Sequence, residues 1–339
     1  MLRRLLFPFS LIWWAITTSR NFLFDRSILS SYLIPEKSIT VGNLSVGGTG
    51  KTPMTVYLTK LLSEHHSVDI LSRGHGRNTK GFLLLNEKHR AQEVGDEPLL
   101  YFRRFKKNVK VAVSENRELG IRTLKKELAK SIIILDDAFQ HRRVRAGFSV
   151  LLTTYNSLFT KDCLLPVGNL REGRSGAKRS DIIVVTKCPE HISENQKNKL
   201  TESLAKYNKP IFFASISYAP PVPFGNCKNI STKVLVITGI AKPESLIKFV
   251  SKTSQIEHIS FPDHHNFSAR EIQGIHEKID TFVSKDWSIV TTEKDYVRLL
   301  PFIEKWGISN YPWFYIPIET TLENEQEFNQ LILAYVSTI

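Results

Sequence analysis

The apolar stretch Ser38-Ile39-Thr40-Val41 runs into Gly42-Asn43-Leu44-Ser45-Val46-Gly47-Gly48-Thr49-Gly50-Lys51-Thr52-Pro53. Such a run predicts a short strand, a glycine-rich turn and a helix from about Pro53. Gly47, Gly48 and Gly50 let the backbone approach an anion without Cβ interference, and the helix amino terminus adds unpaired N–H groups. This is the pattern of a P-loop: Lys51 reaches the β and γ phosphates and the Thr52 hydroxyl ligates Mg2+. Ser45 stands where the usual first glycine would be, so the turn is a variant whose flexibility comes from Gly47 and Gly48. One such unit cannot cover its own strand. It demands a parallel sheet with helices on both faces.

The chain supplies that sheet. Val68 to Leu71, Val109 to Val113, Ile132 to Leu135, Val150 to Leu152 and Ile182 to Val185 are continuous apolar runs, with helical stretches such as Glu115 to Lys130 between them. Tyr218 to Thr232, with Pro220, Pro221, Pro223 and Gly225, reads as a linker. Strands then recur at Val234 to Ile237, Ile256 to Phe261 and Ser288 to Val290, with helices from Pro243 and over Ser268 to Phe282. The expected fold is α/β: a P-loop NTPase-like three-layer α/β/α domain, a second, smaller α/β domain and an N-terminal hydrophobic helix. Boundaries follow: a membrane-associated segment over 1–30, the P-loop core over 31–217, a linker over 218–232, the smaller domain over 233–322 and a C-terminal helix over 323–339 that could fold back on either domain.

Charge narrows the partners. Lys and Arg outnumber Asp and Glu by 46 to 33, a net +13, which favours a nucleotide, a phosphorylated substrate, nucleic acid or an anionic membrane. No nucleic-acid-binding module accompanies that charge, so no nucleic-acid partner is expected, and no obligate protein partner is inferred. The three cysteines form no ligand pattern, which argues for a reducing compartment and against zinc. At the amino terminus, Leu5 to Ile16 is nearly all apolar but shorter than the roughly 20 residues a spanning helix needs. Trp13 and Trp14, flanked by arginines, suit a membrane interface better than a cleaved signal peptide or a buried helix.

Other polar clusters fall at predicted strand ends. Ile132 to Leu135 stops in Asp136-Asp137, two carboxylates suited to a hard cation beside the P-loop. Gln140 and His141 extend polar groups into the same cleft. Ser72-Arg73-Gly74-His75-Gly76-Arg77 places guanidinium groups where an anionic acceptor can dock. Gly95-Asp96-Glu97-Pro98 puts acids at a helix start, where either can simply cap it. Arg171, in a Pro- and Gly-containing loop, can meet phosphoryl oxygens, and Glu172 can join the metal sphere. Asp263-His264-His265 follows a strand of the smaller domain; either histidine can tune an acid across the seam.

These stretches together resemble the tetraacyldisaccharide 4'-kinase family. The matches are VGNLSVGGTGKTP at 41 to 53, SRGHGR at 72 to 77, GDEP at 95 to 98, DDAFQHR at 136 to 142, LLPVGNLRE at 164 to 172, TGIAKP at 238 to 243, FPDHHNF at 261 to 267 and TTEKD at 291 to 295. The resemblance implies ATP and Mg2+, with the γ-phosphate passed to the 4'-hydroxyl of an acylated glucosamine disaccharide 1-phosphate. It makes Asp96 the base, supported by Asp263 and His264. Gly47 to Thr52 would bind phosphates, and Thr52, Asp136, Asp137 and Glu172 the metal. Arg171 and Lys51 would stabilise phosphoryl charge. Arg73, His75, Arg77, Gln140 and His141 are the substrate-binding candidates. A monotopic protein on the cytoplasmic face of the bacterial inner membrane, against its anionic surface, is the implied setting. A nucleotide-dependent membrane switch is the competing reading, distinguished by whether Asp96 is needed.

Overall fold

A computed structural model describes residues 2–127, 131–282 and 286–337. The larger sheet is nine-stranded, in the order Ile318–Leu322, Ile211–Tyr218, Ile182–Cys188, Phe148–Thr154, Ser38–Asn43, Ile132–Asp136, Val68–Ser72, Val109–Val113, Leu83–Leu84. Its interior pairings are parallel, and only the two edge strands run antiparallel. The P-loop strand is therefore central, and the P-loop and the acids of Ile132–Asp136 emerge together at the carboxyl edge. In open α/β sheets ligands bind at that edge.

Alternation of side chains explains the unbroken apolar runs. Ile132 and Ile134 enter one core with Val41, Ile70, Leu58 and Leu62, whereas Ile133 and Leu135 enter another with Ile121 and Leu124. Each fully buried Ile or Leu contributes roughly 1.5–3 kcal/mol, so both faces must be covered. The helix expected over Glu115 to Lys130 is Arg117–Glu127, and residues 128–130 lie outside the described residues.

A second sheet is five-stranded: Val222–Pro223, Trp313–Ile316, Trp287–Thr292, Lys233–Thr238, Gln255–Ser260. Part of the expected linker is thus an edge strand, pairing antiparallel with Trp313–Ile316. Pro223 is tolerated there because an edge position leaves its missing N–H without consequence. Two strands were not foreseen, Trp313–Ile316 and Ile318–Leu322, because Pro317 splits their apolar run. The first belongs to the smaller sheet. The second crosses back to the larger one, although the sequence reading grouped residues 318–322 with the smaller unit. The helix Glu325–Ser337 follows it and buries Phe328, Ile332 and Val336 in the larger core.

The helix Phe7–Asp25 buries Ser10 and Thr17 and exposes Phe9, Leu11, Ile12, Trp14 and Ile16. Its polarity is inverted relative to a helix packed on a core. Among the described residues, no helix is long and apolar enough to cross a membrane.

Candidate active site

Gly50 stands at the amino end of the helix Lys51–Ser63 with φ +86°, a left-handed conformation that opens the turn, and no side chain caps that end. The turn is braced by its neighbours: Asn43 Nδ2 donates to Thr49 Oγ1 (2.7 Å), and Thr186 Oγ1 to the Thr49 carbonyl (2.7 Å). The loop carrying Arg171 hydrogen-bonds along the P-loop backbone, Val46 N to Asn169 O (2.8 Å) and Arg171 N to Leu44 O (2.7 Å). Arg171 arrives at the site by that pairing.

Asp137, at φ +47°, lies between two cations. Lys51 Nζ is 3.7 Å from Oδ2, and Arg171 Nη1 donates to Oδ1 at 3.1 Å. Asp136 is buried and accepts from Ser72 Oγ at 3.2 Å. Burial first, then the Asp137 and Glu97 carboxylates, push its pKa up to about 6, with Lys51 and Arg117 only partly opposing. A cation placed against the pair would relieve that repulsion. No group of three or more His, Cys, Asp or Glu suited to a metal exists among the described residues. Mg2+ needs none: it takes one or two carboxylates and completes its shell with phosphate and water oxygens. Asp136 and Asp137 therefore fit Mg2+.

Glu172, expected at the metal, is instead taken up by three donors: Arg179 Nη2 (2.7 Å), Gln140 Nε2 (3.1 Å) and Asn21 Nδ2 (2.7 Å). Gln140 also donates to the Asn43 carbonyl at 2.6 Å, so its amide nitrogen ties the site together rather than facing an acceptor. These contacts bring in the N-terminal helix, whose Trp13 Nε1 also donates to the Arg171 carbonyl (2.9 Å).

Arg73 and His75 are exposed at the rim. Arg77 folds inward, donating to Gly81 O (2.6 Å) and pairing with Glu115 (2.9 Å). Arg117, which sequence reasoning missed, is buried beside the acids and donates to the Asp136 carbonyl at 3.3 Å. Burial lowers its pKa to about 10 despite Asp136 and Asp137. Burial, then Arg117, also lowers the His141 pKa.

Gly95, at φ +93°, lets the start of the helix Asp96–Phe105 press on Gly74 of the Ser72–Arg77 turn. Asp96 Oδ2 there meets His264 Nδ1 at 3.0 Å, across 168 positions of sequence. Asp263 does not join them: its Oδ1 accepts the His264 backbone N–H at 3.1 Å and holds the turn. His265 pairs with Glu271 and stacks on Phe261. Another missed residue, Arg298, donates to Asp96 Oδ2 through Nη2 (2.6 Å) and Nε (3.1 Å). Burial by itself raises the Asp96 pKa, but Arg298 and then His264 more than offset it, so the carboxyl sits below its usual range.

A model of the tetraacyldisaccharide-1-P 4'-kinase family matches residues 2–337. This chain belongs to that family. A tetraacyldisaccharide 4'-kinase from Flavobacterium psychrophilum is 46% identical, over 99% of this chain and 98% of its own length. The Bacteroides thetaiotaomicron 4'-kinase is 42% identical over 98% of this chain and 92% of its own. A solved LpxK structure from Aquifex aeolicus, in complex with ATP, superposes with a TM-score of 0.76 at 30% identity, covering 99% of this chain and 100% of that one. Membership of the 4'-kinase family agrees with a glycine-rich turn, a carboxylate pair and a histidine-paired carboxylate at one sheet edge.

Proposed function

We propose that this chain transfers the γ-phosphate of ATP to the 4'-hydroxyl of a tetraacylated glucosamine disaccharide 1-phosphate lying in a membrane. The meeting of Asp96 with His264, at the edge that also holds Lys51, Asp137 and Arg171, supports this most. The turn Gly47 to Thr52 binds the triphosphate, and Lys51 neutralises its terminal oxygens. Thr52, Asp136 and Asp137 hold Mg2+, which when bound supplies positive charge against the phosphate oxygens. Arg171 stabilises charge on the group in flight.

Asp96 Oδ2 is occupied by its partners, which leaves Oδ1 for the acceptor proton. The sugar oxygen bonds to the γ-phosphorus as the bond to the bridging oxygen of ADP breaks, and the proton ends on Asp96. Most of the rate comes from placement and from cations over the phosphoryl oxygens. Arg73 offers the anionic acceptor its counter-charge, and His75 and His141 offer it hydrogen-bonding groups. The inverted helix Phe7–Asp25 supports monotopic attachment to an anionic membrane surface at the cytoplasmic face, since each methylene it buries in lipid gains about 0.8 kcal/mol.

Purified protein with Mg-ATP and detergent-dispersed tetraacyldisaccharide 1-phosphate is expected to yield ADP and the 4'-phosphorylated lipid. Asp96→Asn is expected to abolish transfer and keep ATP binding. An Asp96→Asn protein with unchanged transfer removes the proton-acceptor role.

A further inference from the structure

The strand Trp287–Thr292 ends in Thr291-Thr292, and the helix Glu293–Leu299 begins at once. That helix lies between the two cores, with Val297 in the larger and Leu299 in the smaller. Its polar side chains reach across to the helix Asp96–Phe105 at three levels. Arg298 grips Asp96, Lys294 Nζ donates to Glu97 Oε1 at 2.5 Å, and Glu293 Oε2 accepts from Arg104 Nη1 at 3.2 Å. Residues four apart on a helix share a face, which aligns Lys294 with Arg298.

Arg298 is itself built into place. Its Nη1 donates to Asp295 Oδ1 (2.7 Å) and to the Gly239 carbonyl (3.0 Å). Asp295 Oδ2 accepts from Thr292 Oγ1 (2.7 Å) and Gly239 N (2.9 Å). A Cβ at Gly239 would come 2.9 Å from Asp295 Oδ1, so only glycine lets that carboxylate close in. The turn carrying His264 hangs on the same glycine, through His264 N to Gly239 O at 3.2 Å. A guanidinium with its side chain 3% exposed and its donors spread over two carboxylates and a carbonyl has one orientation available.

We propose that Arg298 is a positioning residue that clasps the base-bearing helix to the smaller domain and aims the free oxygen of Asp96 at the acceptor hydroxyl. The proposal rests on reading Asp96 as the proton acceptor. Arg298 never touches substrate. It occupies Oδ2 with two donors, so the carboxylate plane is set and Oδ1 is left as the working oxygen. His264 adjusts to it: with Nδ1 protonated it donates to Asp96, and with Nδ1 bare it accepts from Arg298 Nη2 at 3.2 Å. Glu97–Lys294 and Arg104–Glu293 hold the two helices at that spacing without touching Asp96.

The test compares Arg298→Gln, Arg298→Lys and Asp96→Asn in full-length protein with Mg-ATP and the detergent-dispersed lipid acceptor. Misplacing a reacting group by about 1 Å costs on the order of 100-fold in rate. Arg298→Gln is expected to lose kcat on that scale while KM for ATP stays within about twofold; the broken buried pair also lowers the unfolding midpoint, so kcat is read well below it. Arg298→Lys keeps the charge without the fork and is expected to recover part of kcat. Asp96 is faced by Arg298 and Asp295 from the clasp, by His264, and by Glu97 on its own helix. Losing the guanidinium moves the acid limb of the kcat profile to higher pH, a shift that a purely structural residue would not produce. Full kcat in Arg298→Gln beside an inactive Asp96→Asn overturns the clasp alone. A loss of ATP affinity as large as the loss of kcat, with Arg298→Lys no better than Arg298→Gln, also overturns it. An active Asp96→Asn overturns the reading on which it stands.

Discussion

Lys51 sits 3.7 Å from Asp137 Oδ2 with Arg171 Nη1 donating to both oxygens of the same carboxylate, so the two cations are gathered where the proposed reaction would develop phosphoryl charge. Removing one such stabiliser typically costs about 10²–10³ in kcat. Lys51→Met is expected to fall in that range, measured by steady-state transfer with the lipid acceptor. Gly42 has a different reason for being there. A Cβ at Gly42 would lie 2.5 Å from Phe139 Cβ, just past the acid pair. Gly42→Ala is expected to destabilise by about 1–3 kcal/mol through overpacking and to weaken Mg-ATP binding, read by thermal unfolding and calorimetry. His276 governs a pH response. Its Nε2 accepts the Trp313 indole N–H at 3.0 Å and its ring stacks on Tyr311, so the folded state needs the neutral imidazole. Burial lowers its pKa from 6.5 to about 4. The unfolded chain binds the proton first, so this contribution is complete above pH 6.5 and is lost as pH falls towards 4. Thermal unfolding from pH 7 to pH 4.5 should show it, and His276→Gln should flatten the dependence.

The N-terminal helix is joined to the site by Asn21 on Glu172 and Trp13 on the Arg171 carbonyl, while its opposite face is apolar and exposed. Those two faces should separate by mutation. Asn21→Ala leaves a buried carboxylate with one donor fewer, a loss of roughly 1–3 kcal/mol. It is expected to lower kcat while vesicle binding holds. Ile12→Ser with Trp14→Ser is expected to do the reverse, weakening sedimentation with anionic vesicles and sparing ATP binding. Equal effects of both changes on vesicle binding would remove the division of labour between the faces.

Across the whole molecule, the chain enters the smaller sheet after Tyr218 and returns to the larger one after Ile316. Ile318–Leu322 leaves the smaller sheet to pair with Ile211–Tyr218, and Glu325–Ser337 packs beneath the larger one, where Tyr57 Oη donates to Asn329 Oδ1 at 2.7 Å. The helix Glu293–Leu299 meanwhile contributes to both cores. Two units sharing elements in this way are expected to unfold in a single calorimetric transition. Two resolved transitions would show the seam to be weaker than its buried ion pairs and shared side chains imply.

What could be read in the sequence was local. The P-loop, the acids ending Ile132–Asp136 and the apolar strands each announce themselves within a few residues, because strand–turn–helix chemistry depends on near neighbours. Within the site the same limit shows. The pairing of His264 with Asp96 is implied by the resemblance, not by any local pattern, and Asp263, implied with it, only holds the turn. Arg298 carries no local signal that separates it from any other helix arginine. Its partner lies 202 positions away, and the packing of Glu293–Leu299 against Asp96–Phe105 decides that the two meet. The Glu172 partners and the inward fold of Arg77 were settled the same way. Local pattern sets which backbone forms; the choice of partner for a buried charge depends on which desolvated groups the packed layers bring within about 3 Å, and only the tertiary structure decides that.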